Sequence, residues 1–396
     1  MYIYNLDKLY IVLIDMPGLR LYAEIAVNKH ISTGVKVSKY KQVINWLTEK
    51  IDTGKLSPGE KIPSENELCD RFSLSRQTVR HAISKLVEDG LVETRQGSGT
   101  FVSDQRAGEG ERNVVAVVTT YVDDYIFPST IRGIESTLSD KGYSMLLSFS
   151  NNTVGKERQI LTDILGRNDV AGIIMEPVKS ALPSPNMDLY KKLQNKGVKI
   201  LLINSFYPEL TLPHVSLNDA DCAYNAVNAL IEAGHEKIGC VLKLDDGQGR
   251  ERYRGYLKAL MEAGLPFSYD HVNWIDTIDI RDGKKAFQMA LERLRECTAV
   301  FCYNDQVAGM MIEVLQENGY RVPEDMSIVG MDDSDIARNG VNGVRLTSIP
   351  HPKEKLGEKA AQNMIRMIHE GKLAFNATFE FEENVILRNS IYKRKK

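Results

Sequence analysis

The chain has 396 residues, enough for two or three domains. Lys plus Arg number 50 and Asp plus Glu 53, giving a formal net charge of −3, with 43% hydrophobic and 26% charged residues. That composition excludes a collagen-like, mainly disordered or disulfide-scaffold chain, and any nucleic-acid surface must be a local patch, since the total is slightly acidic.

Residues 1–35 form an extension without an assigned role. The apolar run through Tyr10–Ile14 stops at Asp15. That falls short of the ~20 residues a membrane helix needs. Asp7, Asp15 and Glu24 also break the pattern of a secretory leader.

From Ser38 the periodicity becomes helical. Tyr40, Val43, Ile44, Trp46, Leu47 and Ile51 share a face, and Gly54 ends the helix. Pro58-Gly59 marks a turn. Ser64 and Glu67 then form a capping box that opens a helix with Leu68 and Phe72. Ser73-Leu74-Ser75 breaks it, and a further helix runs from about Arg76 to Asp89, with Gly90 as its stop. Two β-prone runs, Leu91–Thr94 and Thr100–Val102, flank Arg95-Gln96-Gly97-Ser98-Gly99 as a hairpin. Three helices and a hairpin make a winged helix-turn-helix over residues 36–103. Residues 104–112 have no apolar periodicity and read as a linker.

Residues 113–396 have a different texture. Apolar strands are predicted at Val114–Val118, Tyr143–Phe149, Gly172–Met175, Val198–Ile203, Lys237–Leu242, Ala299–Tyr303, Ser327–Met331 and Leu346–Ile349. Helical sequence separates them, so the fold class is α/β with doubly wound parallel sheets. About 280 residues exceed one typical core, which predicts two lobes.

The five cysteines, Cys69, Cys222, Cys240, Cys297 and Cys302, form no C-x-x-C pair and no metal-ligand spacing. Reduced thiols in a cytoplasmic protein are expected.

Residues 36–103 carry 11 Lys/Arg against 9 Asp/Glu, a balance of +2 that leaves −5 for the rest. Arg76, Gln77, Thr78, Arg80 and His81 cluster where the last helix begins. A helix N-terminus favours phosphate, and Arg and Gln pair with guanine and adenine edges. Lys39 and the wing tip Gln96, Gly97, Ser98 and Gly99 flank them, the glycines letting backbone approach DNA. The stretches Pro58–Leu68, Ser75–Ala82, Leu86–Leu91 and Gly97–Val102 resemble the GntR-family winged-helix domain without a gap over residues 38–102. The resemblance implies a DNA side made of Glu65, Arg76, Gln77, Thr78, Arg80 and Gln96 to Gly99. Glu65 has two readings: it accepts from a cytosine amino group, or it strengthens the helix cap.

The body resembles the sugar-binding module of LacI/GalR-type repressors, itself similar to periplasmic sugar-binding proteins. Ile131–Glu135, Ala171–Ile174, Gly234–Gly239, Arg252–Tyr256, Cys302–Asp305 and Val322–Asp333 carry the resemblance. In doubly wound sheets, ligands bind beyond the carboxyl ends of strands. Polar groups stand there: Tyr121, Asp124, Tyr125, Glu176, Lys179, Asn204, Asn304, Asp305, Asp332 and Asp333, with Arg252 and His351 in reach. A sugar needs such a mixture of acceptors, donors and aromatic faces. Each also has an ordinary reading. Asp332 or Asp333 caps a helix, Tyr125 is core, Arg252 pairs with Glu251 or Asp246 at the surface, and His351 is a turn residue. The resemblance favours Glu176, Asn204, Arg252, Asn304, Asp332 and His351 as effector contacts.

A GntR-type head on a LacI/GalR-type body, with Tyr121–Pro128 and Glu176–Lys179, resembles the arabinose-responsive repressors of Gram-positive bacteria. That implies a homodimer that binds operator DNA, represses arabinose-utilisation genes and is released by L-arabinose. It implies no cofactor, metal or membrane partner. The residues themselves specify only a small polyol, so a repressor answering another sugar stands as the alternative. A transport protein would need a leader and no head. An enzyme would need a motif such as G-x-S-x-G, a P-loop or H-E-x-x-H, and none occurs. Asp245–Gly249 lacks the Lys-Ser/Thr of a phosphate loop. The family's head begins near Lys39-Tyr40. Residues 1–34 are therefore read as an amphipathic extension or as upstream of the true start, with translation expected from near Val35 or Val37.

Overall fold

A computed structural model describes residues 2–6, 9–16, 19–24, 39–52, 55–88, 91–95, 97–103, 112–122, 125–370 and 375–394. The chain forms two compact units, Met1–Asp104 and Gln105–Lys396.

Near the start of the first unit, β1 (Tyr2–Leu6), β2 (Leu9–Met16) and β3 (Leu19–Glu24) pair as an antiparallel meander. The predicted winged helix follows as α1 (Lys39–Asp52), α2 (Glu65–Phe72), α3 (Arg76–Glu88), β4 (Val92–Arg95) and β5 (Gly99–Val102). Val43, Leu47, Leu68, Val79, Ala82 and Leu86 are fully buried at the helix junction. The capping box forms as expected: Glu67 N donates to Ser64 Oγ at 3.3 Å, and Ser64 N donates to Glu67 Oε2 at 2.7 Å. Ser73, at φ 52, turns the chain sharply between α2 and α3. Of the expected linker, residues 104–111 lie outside the described residues.

The second unit has two parallel sheets. Its chain order begins with β6 (Val114–Thr119), α4 (Phe127–Ser139), β7 (Ser144–Phe149), α5 (Val154–Leu165), β8 (Val170–Met175), α6 (Met187–Asn195), β9 (Lys199–Ile203) and β10 (His214–Leu217). It continues through α7 (Asp219–Glu232), β11 (Ile238–Lys243), α8 (Gly247–Glu262), β12 (Val272–Ile275), α9 (Thr277–Asp282) and α10 (Lys284–Arg293). Last come β13 (Ala299–Cys302), α11 (Asp305–Glu317), β14 (Ser327–Asp332), α12 (Asp335–Asn339), β15 (Thr347–Pro350), α13 (Lys353–Glu370) and β16 (Phe379–Phe381). The first sheet has the order β16-β10-β9-β8-β6-β7 and the second β12-β11-β13-β14-β15. Each order reverses once, at β6 and at β11, which opens a crevice at the strand ends.

Apolar side chains cover both faces of each sheet, as the continuous apolar strands require. Helix α13 packs on the first sheet against α4. There a Cβ on Gly133 would lie 2.2 Å from the Glu354 carbonyl, and one on Gly357 2.2 Å from that of Thr130. Only glycine permits that crossing. The chain passes between the lobes after β10, after β15 and after β16. The final segment returns to the second lobe, where Ile386 pairs with Ser348 and Tyr392 N donates to Ser327 Oγ at 2.8 Å. All eight predicted strands are present with ends moved by one or two residues, and β10, β12 and β16 are additional.

Candidate functional site

The first candidate surface lies on the head. Arg76, Gln77 and Arg80 are exposed on the first turns of α3, and Thr78 is half-buried. Ser75 caps that helix, with Thr78 N donating to Ser75 Oγ at 3.3 Å. Two α2 residues hold the arginines. Arg80 Nε donates to Glu65 at 2.9 Å and 3.0 Å, and Arg76 Nη2 donates to Asn66 Oδ1 at 2.7 Å. Glu67 does the capping, and the Glu65 carboxylate is engaged by Arg80. On the wing, Gly97 and Ser98 are exposed, and Gly97 and Gly99 have φ of 77 and 116. Lys61 lies across the hairpin, with its side chain against Gly99 and over the Phe101 ring. Gln96 and the side chain of Lys39 lie outside the described residues.

The second candidate is a cavity of about 750 Å³ between the two lobes of the sensor unit. Six predicted effector residues line it: Tyr121, Tyr125, Glu176, Arg252, Asn304 and Asp332. Glu176, just beyond β8, accepts from Thr120 N at 3.0 Å, from the Thr120 hydroxyl, and from Asn204 Nδ2 at 2.9 Å. Burial raises its pKa, against those hydrogen bonds. Tyr125 crosses from the first lobe, its hydroxyl donating to Asp332 Oδ2 at 2.7 Å. The other oxygen, Asp332 Oδ1, is buried without a hydrogen-bond partner and lies 3.8 Å from Arg252 Nη2.

Arg252 is 1% exposed. Its Nε donates to Asp219 Oδ1 at 2.8 Å, its Nη1 donates to the Tyr303 carbonyl, and the guanidinium lies 4.5 Å above the Tyr303 ring. This overturns a surface pairing with Glu251 or Asp246. Burial pushes Asp219 up to about 6, against the pull of Arg252. Burial also opposes the charge of Lys243, but Asp246 and Asp245 outweigh it and raise its pKa. The cavity wall thus presents carboxylates, a guanidinium, an ammonium and an amide, with the rings of Tyr121, Tyr125, Phe127 and Tyr303 beside them. Such a wall hydrogen-bonds hydroxyls that donate and accept in turn.

Other expected contacts stand elsewhere. Asn204 and His351 form a second tier, with His351 Nε2 3.2 Å from Asn204 Oδ1 behind Glu176. Burial holds the His351 imidazole down to about 4, so it is neutral. Lys179 does not line the cavity, because its ammonium donates to Asp245 at 2.8 Å across the lobe seam. Asp305 is fully buried and accepts from Ser334 N and Ser348 Oγ, each at 2.7 Å. Burial pushes it up to about 7. Asp333 also turns away, its carboxylate accepting from Arg388 at 2.6 Å. Asn304 both lines the cavity and caps α11, accepting from Val307 N at 3.0 Å. Asp124 lies outside the described residues. Sequence reasoning misses Thr120, Lys243, Asp246 and Tyr303 on the cavity wall and Asp219 behind it. The strand-end rule, applied to β6, β11 and β13, points to the first four. Asp219 begins α7 and carries no such signal.

Residues 39–102 match the family "Bacterial regulatory proteins, gntR family", and residues 227–391 match "Periplasmic binding protein-like domain". The chain is 37% identical to the arabinose metabolism transcriptional repressor of Geobacillus stearothermophilus over 89% of this chain and 97% of that protein. It is 35% identical to the protein of the same name from Halalkalibacterium halodurans, over 90% of this chain and 98% of that one. Among solved structures, the transcriptional regulator CelR-cellobiose complex superposes with a TM-score of 0.63 at 24% identity, covering 80% of this chain and 91% of that one. Transcription regulator CcpA of Lactococcus lactis superposes with a TM-score of 0.62 at 24% identity, covering 70% and 99%. These two likenesses carry the fold.

Proposed function

The chain belongs to the family of arabinose metabolism transcriptional repressors, and we propose that L-arabinose is the effector of its inter-lobe cavity and that binding releases operator DNA. The observation that carries a polyol effector is the cavity wall, where Glu176 of one lobe faces Arg252, Asn304 and Asp332 of the other, and the names of the two relatives point to arabinose. A polyol hydrogen-bonded to both lobes stabilises their closed arrangement, and a ligand shifts a conformational equilibrium by its differential affinity for the two states. Coupling of about 1–3 kcal/mol per site is typical of such regulators. The protein acts as a homodimer on a two-fold operator, since paired half-sites mirror protein symmetry. It works in the cytoplasm, where the DNA is, and no helix among the described residues is long and apolar enough to cross a membrane. Repression needs no cofactor.

The test is calorimetry against a panel of pentoses, followed by operator gel shifts with the sugars that bind. L-arabinose should bind and weaken operator affinity, and should be recovered chemically unchanged. Tight binding of another pentose with no response to L-arabinose would refute the effector assignment. Unchanged operator affinity at saturating sugar would refute release.

A further inference from the structure

The floor of the cavity is made by an unusual corner. Asp332 and Asp333 are consecutive, and both have positive φ, 98 and 42. Asp tolerates a single left-handed position, but φ 98 at Asp332 lies beyond that well, and the pair persists where its surroundings hold it. Asp332 ends β14, so the corner decides where its carboxylate points. The sequence puts no glycine at either position, although glycine would adopt this shape without support.

Groups from β15, α13 and the final segment converge on the corner, and Arg338 of α12 lies 3.7 Å from Asp333 Oδ2. From the final segment, Arg388 Nη2 donates to Asp333 Oδ1 at 2.6 Å, and Nη1 donates to the Leu346 carbonyl at 2.7 Å. At the start of α13, Lys353 Nζ donates to the Asp333 carbonyl at 3.0 Å and to the Asp332 carbonyl. From β15, Ser348 Oγ accepts from Asp333 N at 3.1 Å and donates to the buried Asp305 at 2.7 Å. Both backbone carbonyls and the Asp333 carboxylate are therefore fixed from outside the cavity. The Asp332 carboxylate is left facing inward, between Tyr125 and Arg252.

We propose that Arg388 and Lys353, neither of which lines the cavity, are positioning residues of the effector site. They clamp the Asp332-Asp333 corner in its left-handed shape, and so aim the Asp332 carboxylate at the ligand. This rests on reading the cavity as the effector site. The reason is electrostatic and geometric. Arg388 fixes the side chain of Asp333, and Lys353 draws two adjacent carbonyls to one ammonium. Adjacent carbonyls point to one side only when the intervening backbone departs from the extended form. A chain that needed the final segment only as a strap would use the Arg388–Leu346 bond and leave the Asp333 carboxylate to Arg338, 3.7 Å from its other oxygen.

The test uses the full-length protein. Arg388→Ala should weaken L-arabinose binding by about tenfold to a hundredfold, the scale of one charge-assisted hydrogen bond, with operator affinity in the absence of sugar unchanged. Arg388→Lys should recover part of the loss. Adding Asp333→Gly to Arg388→Ala should restore most of it, because glycine needs no clamp. A strap role predicts no rescue by Asp333→Gly, since the Leu346 bond is still lost; that result would overturn the proposal. If Arg388→Ala does not fold, Asp333→Gly and Asp333→Ala replace it. Both lose the Arg388 contact, and glycine should bind more tightly than alanine; equal affinities would sink the claim. The effector reading is tested separately by the wild type. Should the wild type ignore every pentose, the clamp is read from a crystal structure of Arg388→Ala. There Asp332 should leave φ 98 and its 2.7 Å contact with Tyr125. An unmoved corner would refute positioning.

Discussion

Replacing Arg252 with methionine tests the electrostatics of the cavity. The guanidinium is 1% exposed and serves two buried carboxylates, Asp219 at 2.8 Å and Asp332 at 3.8 Å. Methionine fills much of the volume but takes the guanidinium from both acids. Breaking a buried ion pair from one side costs about 3–5 kcal/mol, because the remaining charge stays desolvated. At roughly 2–4 °C per kcal/mol for a domain of this size, the sensor's melting temperature should fall by about 10 °C. The deficit should depend on pH. Asp219 sits at about 6 with the arginine present, and loss of the cation moves it higher. A carboxylic acid whose folded pKa lies above its unfolded value stabilises the fold in its protonated state, so stability falls as pH rises through that interval. The difference between Arg252→Met and wild type should therefore be largest above neutrality and shrink toward pH 4. Adding Asp219→Asn should recover part of it, since a neutral amide needs no cation. L-arabinose affinity should drop by about 1.5–3 kcal/mol, the range for a hydrogen bond from a charged donor, or roughly tenfold to 150-fold. Calorimetric melting across pH and sugar titration read both. Wild-type stability at pH 8, or a deficit that does not change with pH, would refute the account of Arg252 as counter-charge.

On the head, Arg80→Ala should weaken specific operator binding by about 1–3 kcal/mol if Arg80 reads a base, and an equal loss on random DNA would demote it to a phosphate contact. Glu65→Ala should cost little stability, since an ion pair whose partners are 66% and 36% exposed contributes at most about 1 kcal/mol. It should still relax sequence preference by freeing Arg80, and unchanged preference in binding-site selection would remove Glu65 from that role. In the sensor, burial holds His235 down to about 4, between Thr298 Oγ1 at 2.9 Å and the Tyr392 carbonyl at 3.1 Å. A lowered folded pKa means that the unfolded chain takes up the proton first, so stability is lost as pH falls from about 6.5 to about 4. His235→Gln should flatten that part of the melting-temperature profile; an identical acid slope in both proteins would contradict it.

Continuous apolar strands made most of the fold legible. Val170–Met175 and Ile238–Lys243 are buried at every position and read as parallel strands whatever their neighbours. Beyond the meander β1–β3, which the reading of residues 1–35 as an extension did not predict, the missed strands are short and interrupted. The strand β10 is His-Val-Ser-Leu, β12 is Val-Asn-Trp-Ile, and β16 is Phe-Glu-Phe at a sheet edge. Periodicity over three or four residues does not separate such a strand from a loop. The cavity was legible to the extent that its residues follow strong strands, as Glu176 follows β8 and Asn304 follows β13. Position after a strand does not reveal direction. Lys179 and Asp333 satisfy the rule and still turn toward Asp245 and Arg388. Those partners are contributed by segments distant in sequence, and nothing near Lys179 or Asp333 announces them.

Backbone strain supplies the direction that position does not. Among the described residues, nine non-glycine residues have positive φ, and five of them were expected at the site: Tyr125, Lys179, Asn204, Asp332 and Asp333. Asn and Asp tolerate this conformation, because a short polar side chain bonds locally, but Tyr and Lys do not favour it. Asn204, Asp332 and Asp333 stand at or one residue past a strand end, where the chain turns before the next element, whereas Tyr125 and Lys179 stand in the longer loops after β6 and β8. Each of these residues then makes a polar bond that fixes the turn: Tyr125 to Asp332, Lys179 to Asp245, Asn204 to Glu176, and Asp333 to Arg388. Two of those four bonds, Tyr125–Asp332 and Lys179–Asp245, join one lobe to the other. Strain therefore marks the walls and seam of the cleft rather than ligand contact itself. On the proposed function, a sugar that bridges the lobes would act on the same surfaces whose turns are held by the inter-lobe bonds Tyr125–Asp332 and Lys179–Asp245, so closure and binding would share residues instead of being linked through a distant path.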